Sequence, residues 1–163
     1  MDVLFIQTGG TIDKDYPKNI NGWGFEIGQP ASEKLLSFLR LSLDHRTITA
    51  FQKDSTKIDK DDLENLKNIC QKAKETKIII THGTDTVLKT ANYLSTITKK
   101  TIVLTGAFLP YAFKNSDTEF NIGMAIAGVQ TLSDGIYVSL NGIIGKFNEI
   151  QRDETTGKYY KKP

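Results

Sequence analysis

Two stretches carry the residues whose types and spacing could do chemistry. Gln7–Tyr16, QTGGTIDKDY, sets two glycines and a threonine hydroxyl directly behind the apolar run Val3, Leu4, Phe5 and Ile6. Ile78–Thr86, IIITHGTDT, repeats the arrangement with an apolar run, a glycine turn, and then the hydroxyl of Thr84 and the carboxylate of Asp85. Apolar runs of this length read as strands with both faces buried in a parallel sheet. Gly9 and Gly10 permit a sharp turn and close approach of a ligand to the main chain, and they leave the Thr11 hydroxyl at the strand's carboxyl end. That is the edge at which open α/β sheets bind ligands. Two such strand ends in one sheet bring Thr11, Thr84 and Asp85 together as a candidate nucleophile, a second hydroxyl and an acid, a set suited to hydrolysing an amide. Taken alone, Thr8–Thr11 reads as a tight strand-to-loop turn.

The elements that must position these groups alternate between strand and helix. After the first strand, Asp13–Pro30 shows neither helical nor strand periodicity and reads as a mobile loop, with Tyr16, Trp23 and Phe25 as its apolar grip. Long loops of this kind in compact domains often act as lids. Ser32 is placed to cap a helix with Leu35, Leu36, Leu39 and Leu43 on one face. Arg46–Phe51 reads as a strand, with Asp54 and Ser55 just beyond it. Asp59, with Asp62 three residues on, starts a helix in which Leu63, Leu66, Ile69, Cys70 and Ala73 recur at helical spacing. A helix over Val87–Thr96, a strand over Ile102–Leu104 and a loop over Gly106–Asp117 follow. Next comes a helix with Phe120, Met124 and Ala127 inward, then strands over Ile136–Leu140 and Ile143–Phe147. Strands alternating with helices predict βαβ units with right-handed crossovers.

With 163 residues the chain fits one domain, able to bury roughly two thirds of its unfolded surface without disulfides. A net charge of +2, with lysines dispersed along the chain, argues against a nucleic-acid partner. No segment approaches the roughly 18 apolar residues of a membrane span. The lone Cys70 falls on the apolar side of a helix and reads as a packed thiol. A cytoplasmic location follows as the default. His45 and His82 lack neighbours at metal-ligand spacing, so no metal and no cofactor is expected. His82 reads as an orienting or core imidazole. Lys158, Lys161 and Lys162 read as a solvated tail.

The paired motifs TGGTID and THGTDT resemble the L-asparaginase family. The likeness continues through FEIG at Phe25–Gly28, KDS at Lys53–Ser55, LTGAFLP at Leu104–Pro110 and SDTEFN at Ser116–Asn121. It implies a three-layer α/β fold of Rossmann type, with a mostly parallel sheet and helices on both faces. It also implies one catalytic domain over 1–163 without a carboxyl-terminal second domain. By the same resemblance Thr11 is the nucleophile that takes the side-chain amide of L-asparagine through a β-aspartyl ester, with glutamine as a weaker substrate. Phe25 aligns with the lid tyrosine of the longer enzymes and has no hydroxyl. Short asparaginases instead place a tyrosine five residues after the nucleophile, where this chain has Tyr16. Thr84 and Asp85 match the family's second catalytic group. An ungapped count from Gly135 puts Arg152 where the family has lysine, with Lys146 as the alternative. Arginine stays protonated in proteins, so it stabilises charge rather than accepting a proton. Substrate binding falls to Ser55 and Asp54, with Gly10, Gly83 and Ala107, and the family's close association implies a homo-oligomer, dimer or tetramer. Arg152, Phe25 and the missing second domain also motivate an alternative, a domain that binds an amino acid and turns over slowly or not at all. A fragment of a longer protein is a further alternative.

Overall fold

A computed structural model describes residues 1–17 and 24–163. Trp23 lies outside the described residues. β1 (Asp2–Gly9) is followed by the short β2 (Lys14–Asp15) and β3 (Glu26–Ile27), which pair antiparallel as a separate ribbon. The segment expected as an irregular loop is therefore ordered by strand pairing at its base. β1 lies between β4 (Asp44–Lys53) and β5 (Lys77–Thr81), and the sheet continues through β6 (Thr101–Thr105) and β7 (Gly135–Leu140) to β8 (Ile143–Lys146). All neighbours in this sheet are parallel except β7 and β8.

The parallel order follows from the crossovers α1 (Ala31–Phe38), α2 (Lys60–Lys72), α3 (Val87–Tyr93) and α4 (Thr118–Thr131). Alternate strand residues feed two cores. Leu4, Ile6, Ile78, Ile80, Ile102 and Leu104 pack towards α2 and α3. Val3, Phe5, Ile79 and Val103 pack towards α1 and α4. Both faces of the sheet are thus covered, which is why its strands read as continuous apolar runs. Each large side chain so buried stabilises the fold by about 1.5–3 kcal/mol. β4, at the sheet edge, is polar and largely exposed, and its charged side chains discourage pairing with other chains.

The helices depart from the sequence reading in instructive ways. α2 starts as expected, with Asp59 and Asp62 forming reciprocal caps. α1 starts at Ala31, and Ser32 does not cap it; the Asp13 carboxylate, distant in sequence, accepts the Ala31 N–H at 2.7 Å. The helix ends at Phe38, so Leu39 is exposed, and Leu43 packs on the core from outside it. α4 faces inward with Ile122, Ala125 and Val129, while Phe120 and Ala127 are exposed and Met124 is half-buried. Its sequence is apolar on most sides, so periodicity could not select the face. Gly128 lies on the inward face, where a Cβ would lie 2.4 Å from Ile144 Cδ1.

The tail is not simply solvated. β9 (Ile150–Arg152) and β10 (Tyr159–Lys161) form an antiparallel hairpin with Tyr159 directly opposite Arg152. Lys158, Lys161 and Lys162 are exposed, but Tyr159 and Ile150 are buried in the core beside α3.

Candidate active site

The chain leaves β1 for β4 on one side and then crosses back past β1 to β5 on the other. Connections that diverge in this way open a crevice at the carboxyl ends of β1 and β5, where α/β sheets hold ligands. Glycines let the turns close around it. Gly9 and Gly10 have φ of 102° and 86°. A Cβ on Gly10 would meet the Gly83 backbone at 2.4 Å, and one on Gly83 would meet Ser55 Cβ and Oγ at 2.6 Å. The turns after β1, β4 and β5 therefore touch only because side chains are absent there. Gly10 N–H donates to the Lys53 carbonyl at 3.1 Å, and the Thr86 hydroxyl donates to the Ser55 carbonyl at 2.9 Å.

The turn after β6 closes the group. Ala107 is buried, and a Cβ on Gly106 would lie 2.3 Å from the His82 carbonyl oxygen. Asn121 Nδ2 donates to the Gly106 carbonyl and to Asp117, both at 2.9 Å. Asp117 also accepts the N–H groups of Phe108 and Leu109. Tyr111 N–H reaches the Ile12 carbonyl at 3.1 Å, joining this loop to the 3-10 turn Thr11–Asp13.

Gly10, Thr11, Ser55, Gly83, Thr84, Asp85 and Ala107 thus share one edge. Thr11 is half-buried in the first residue of its turn. Thr84 and Ser55 are buried, whereas about half of the Asp85 side chain is exposed. Arg152 Nη2 donates to Asp85 Oδ1 at 2.8 Å. Lys146, the alternative cation, stands exposed on β8 opposite Tyr137 and makes no ion pair with Asp85. Asp54 is adjacent but occupied: it caps the turn Ser55–Lys57 by accepting the Thr56 N–H and hydroxyl, and Lys14 lies 3.7 Å away. Those Thr56 bonds, more than Lys14, hold its carboxyl below the usual range.

Tyr16 stands apart from this group. It is 72% exposed, and its ring packs on Phe25 at 5.1 Å, which packs on Phe113 at 5.2 Å. The two aromatic residues that compete for the lid role therefore lie together in one surface cluster. His82 is fully buried. Its Nδ1 lies 2.8 Å from the Gly83 carbonyl, which can only accept, so Nε2 accepts from Thr90 at 2.9 Å. Burial lowers its pKa to about 4, and the neutral ring acts as a brace between the turn and α3.

Two residues escaped the sequence reading. Asp13, two positions after Thr11, is 2% exposed, and burial pushes its carboxyl up to about 7 against the Ala31 N–H, Gln7, Lys34 and Thr81. Its Oδ2 has no hydrogen-bond partner. The carbonyl of Asp13 accepts Gly28 N–H at 2.8 Å, so this one residue ties both Gly28 and Ala31 to the Thr11 turn. Its position inside the motif was the available signal. Tyr159 donates its hydroxyl to the Thr84 carbonyl. The lysines around it hid any signal. Among the described residues no group of three or more acidic, histidine or cysteine side chains is placed to hold a metal, and no helix is long and apolar enough to cross a membrane.

Residues 2–158 match the family model described as asparaginase, N-terminal. A Haemophilus influenzae protein named probable periplasmic L-asparaginase is 27% identical over 167 residues, covering 95% of this chain and 47% of its own length. An L-asparaginase of Thermococcus kodakarensis is 30% identical over 151 residues, covering 85% of this chain and 44% of its own. The solved thermostable L-asparaginase from that organism superposes with a TM-score of 0.86 at 26% identity, over 99% of this chain and 51% of that one. The chain spans about half the length of the curated relatives it matches.

Proposed function

Since the chain belongs to the asparaginase family, matching its amino-terminal model over residues 2–158, we propose that it hydrolyses the side-chain amide of L-asparagine to L-aspartate and ammonia. The observation that carries this reading is the contact of Gly10 with Gly83, which sets the Thr11 turn against the Thr84–Asp85 turn. In this reading the Thr11 hydroxyl attacks the amide carbon, ammonia leaves, and water cleaves the resulting β-aspartyl ester. A threonine hydroxyl needs a base and a polarised carbonyl to react. Tyr16, five residues after Thr11, serves as the base once its ring leaves Phe25. Thr84 and Asp85 direct the water, and Arg152 steadies the Asp85 charge. Ser55 and Asp85 receive the substrate's α-carboxylate and α-ammonium, while Gly10, Gly83 and Ala107 line the site.

Glutamine, longer by one methylene, would react more weakly, since such a difference changes rates by only about 10–200-fold. The reading includes one catalytic domain over 1–163, a cytoplasmic location and a homo-oligomer, which light scattering would test.

One observation favours a second reading, an amino-acid-binding domain with little turnover. The cation at Asp85 is an arginine, a side chain that does not give up its proton to act as a base. Ammonia release from L-asparagine, compared with calorimetric binding, separates the two. Turnover lost in Thr11→Ala supports the enzyme, whereas binding without ammonia release supports the module.

A further inference from the structure

The β9–β10 hairpin places its directly opposed residues, Arg152 and Tyr159, on the same short turn. Arg152 takes the carboxylate of Asp85, and Tyr159 takes the carbonyl of Thr84. We propose that Tyr159 is a positioning residue for the amide hydrolysis, holding the Thr84 main chain from one side of the hairpin while Arg152 holds Asp85 from the other. This inference rests on the asparaginase reading of the site.

The hairpin is built to hold still. Asp153 accepts the N–H groups of Thr155 and Thr156, and Gly157 N–H returns to the Asp153 carbonyl at 2.8 Å. Lys162 N–H on the Glu149 carbonyl at 2.8 Å extends the ladder at its open end, and Tyr159 N–H on Asn141 Oδ1 at 3.3 Å ties it to the turn after β7. Tyr159 is 4% exposed and packs with Ile150 in the core that α3 covers. Its hydroxyl therefore cannot leave Thr84 without opening the core. Burial pushes the phenol up to about 12, with Arg152 opposing and Asp85 and Glu154 reinforcing the shift. Tyr159 thus keeps its proton through the neutral range and acts as a donor, not as a second base. A buried carbonyl that loses its donor is left unsatisfied at a cost, which favours a shift of the Thr84 main chain and of the hydroxyl it carries.

The test compares wild type, Tyr159→Phe and Tyr160→Phe in ammonia release from L-asparagine, with thermal unfolding measured in parallel. Phenylalanine retains the packing and deletes the donor. Tyr159→Phe is expected to lose about tenfold or more in kcat with KM changed less than about threefold, as for an interaction that counts mainly in the transition state. Tyr160→Phe, at an exposed neighbouring position, keeps wild-type values. A folded Tyr159→Phe with wild-type kcat overturns the proposal.

A second measurement needs no turnover, and the Tyr159→Phe spectrum serves only to assign the Tyr159 resonance among the six tyrosines. In wild type carrying ring-labelled tyrosine, saturating L-aspartate is expected to shift the Tyr159 phenol carbon resonance, and an unmoved resonance also overturns the proposal. If wild type releases no ammonia while this resonance responds, the enzyme reading fails and the coupling of Tyr159 to the amino-acid site survives.

Discussion

The β2–β3 ribbon and the β9–β10 hairpin both project beside the carboxyl ends of β1 and β5. The hairpin is anchored in the core through Ile150 and Tyr159 and reaches Thr84 and Asp85 with a hydrogen bond and an ion pair. The ribbon is tied at its base by Asp13, is paired to the body by Lys34 on Asp15 at 2.7 Å and Lys14 near Asp54 at 3.7 Å, and carries Tyr16 and Phe25 into the ring cluster with Phe113. The ribbon's ion pairs are made by lysines, point charges on flexible stems, whereas a guanidinium on a carboxylate has a set direction. The difference is that the hairpin bonds directly to the Thr84–Asp85 turn, while the ribbon's aromatic residues stand apart from it.

The largest effect tests the edge that both arms serve. Thr11→Ala is expected to lower asparagine hydrolysis on the order of 10⁴-fold or more while thermal unfolding stays near wild type. A folded variant with wild-type activity removes Thr11 from the chemistry and leaves the two arms without a shared purpose.

Next comes the base of the ribbon. Asp13 holds a proton in the fold at pH values where the unfolded chain, with a carboxyl near 3.8, has released it. Its contribution to stability is complete below about pH 3.8 and is lost as pH rises through about 7. His82 runs the other way: its contribution is complete above pH 6.5 and is lost as pH falls through about 4. The two slopes oppose each other between those values. Asp13→Asn preserves an acceptor for Ala31 and removes one slope. It is expected to stabilise the protein at pH 8 by roughly 1–4 kcal/mol and to make stability rise steadily from pH 4 to 6.5. Urea unfolding across pH checks this, and an unchanged profile means that Asp13 does not titrate in the fold.

The aromatic cluster is tested by Tyr16→Phe, which is expected to cost about 10²-fold in kcat, the scale of general base catalysis. Phe25→Tyr changes kcat by less than about threefold. The reverse order gives position 25 the lid role. Smallest is the choice of cation. Arg152→Ala is expected to cost about tenfold, and Lys146→Ala leaves the rate near wild type. Arg152→Lys keeps or raises the rate and moves its pH optimum, because a partly buried lysine can release its proton. Loss in Lys146→Ala but not Arg152→Ala would detach the hairpin from the site.

Much of the holding machinery was visible in the chain. The apolar runs at Val3–Ile6 and Ile78–Ile80, each followed three residues on by glycine, announced the sheet and the edge that carries the candidate site. Asp59 and Asp62 announced α2, because a reciprocal cap is local. What escaped depends on distant partners. Ser32 looked like a cap, but the Ala31 N–H found Asp13 eighteen positions earlier. The inward face of α4 could not be read from a helix apolar on most sides, and Gly128 on that face packs against Ile144 of β8, a contact no helical period encodes. Tyr159 sat among lysines that outweighed it in any reading by charge. β2 and β3, two residues each, are too short to show alternation.

The placement of β1 bears on how the chain comes off the ribosome. β1 is synthesised before both neighbours that bury it, and the hydroxyl of Thr8 must wait for a carbonyl 73 residues later, on Thr81. Until β5 has emerged, a nascent chain can pair Val3–Ile6 with β4 alone and leaves the other edge of β1 open, the kind of segment that invites association between unfinished chains. The glycine turn of β1 and the Thr84 turn can therefore reach their final contacts only after translation has passed residue 84, and pairings so distant in sequence are slow to form.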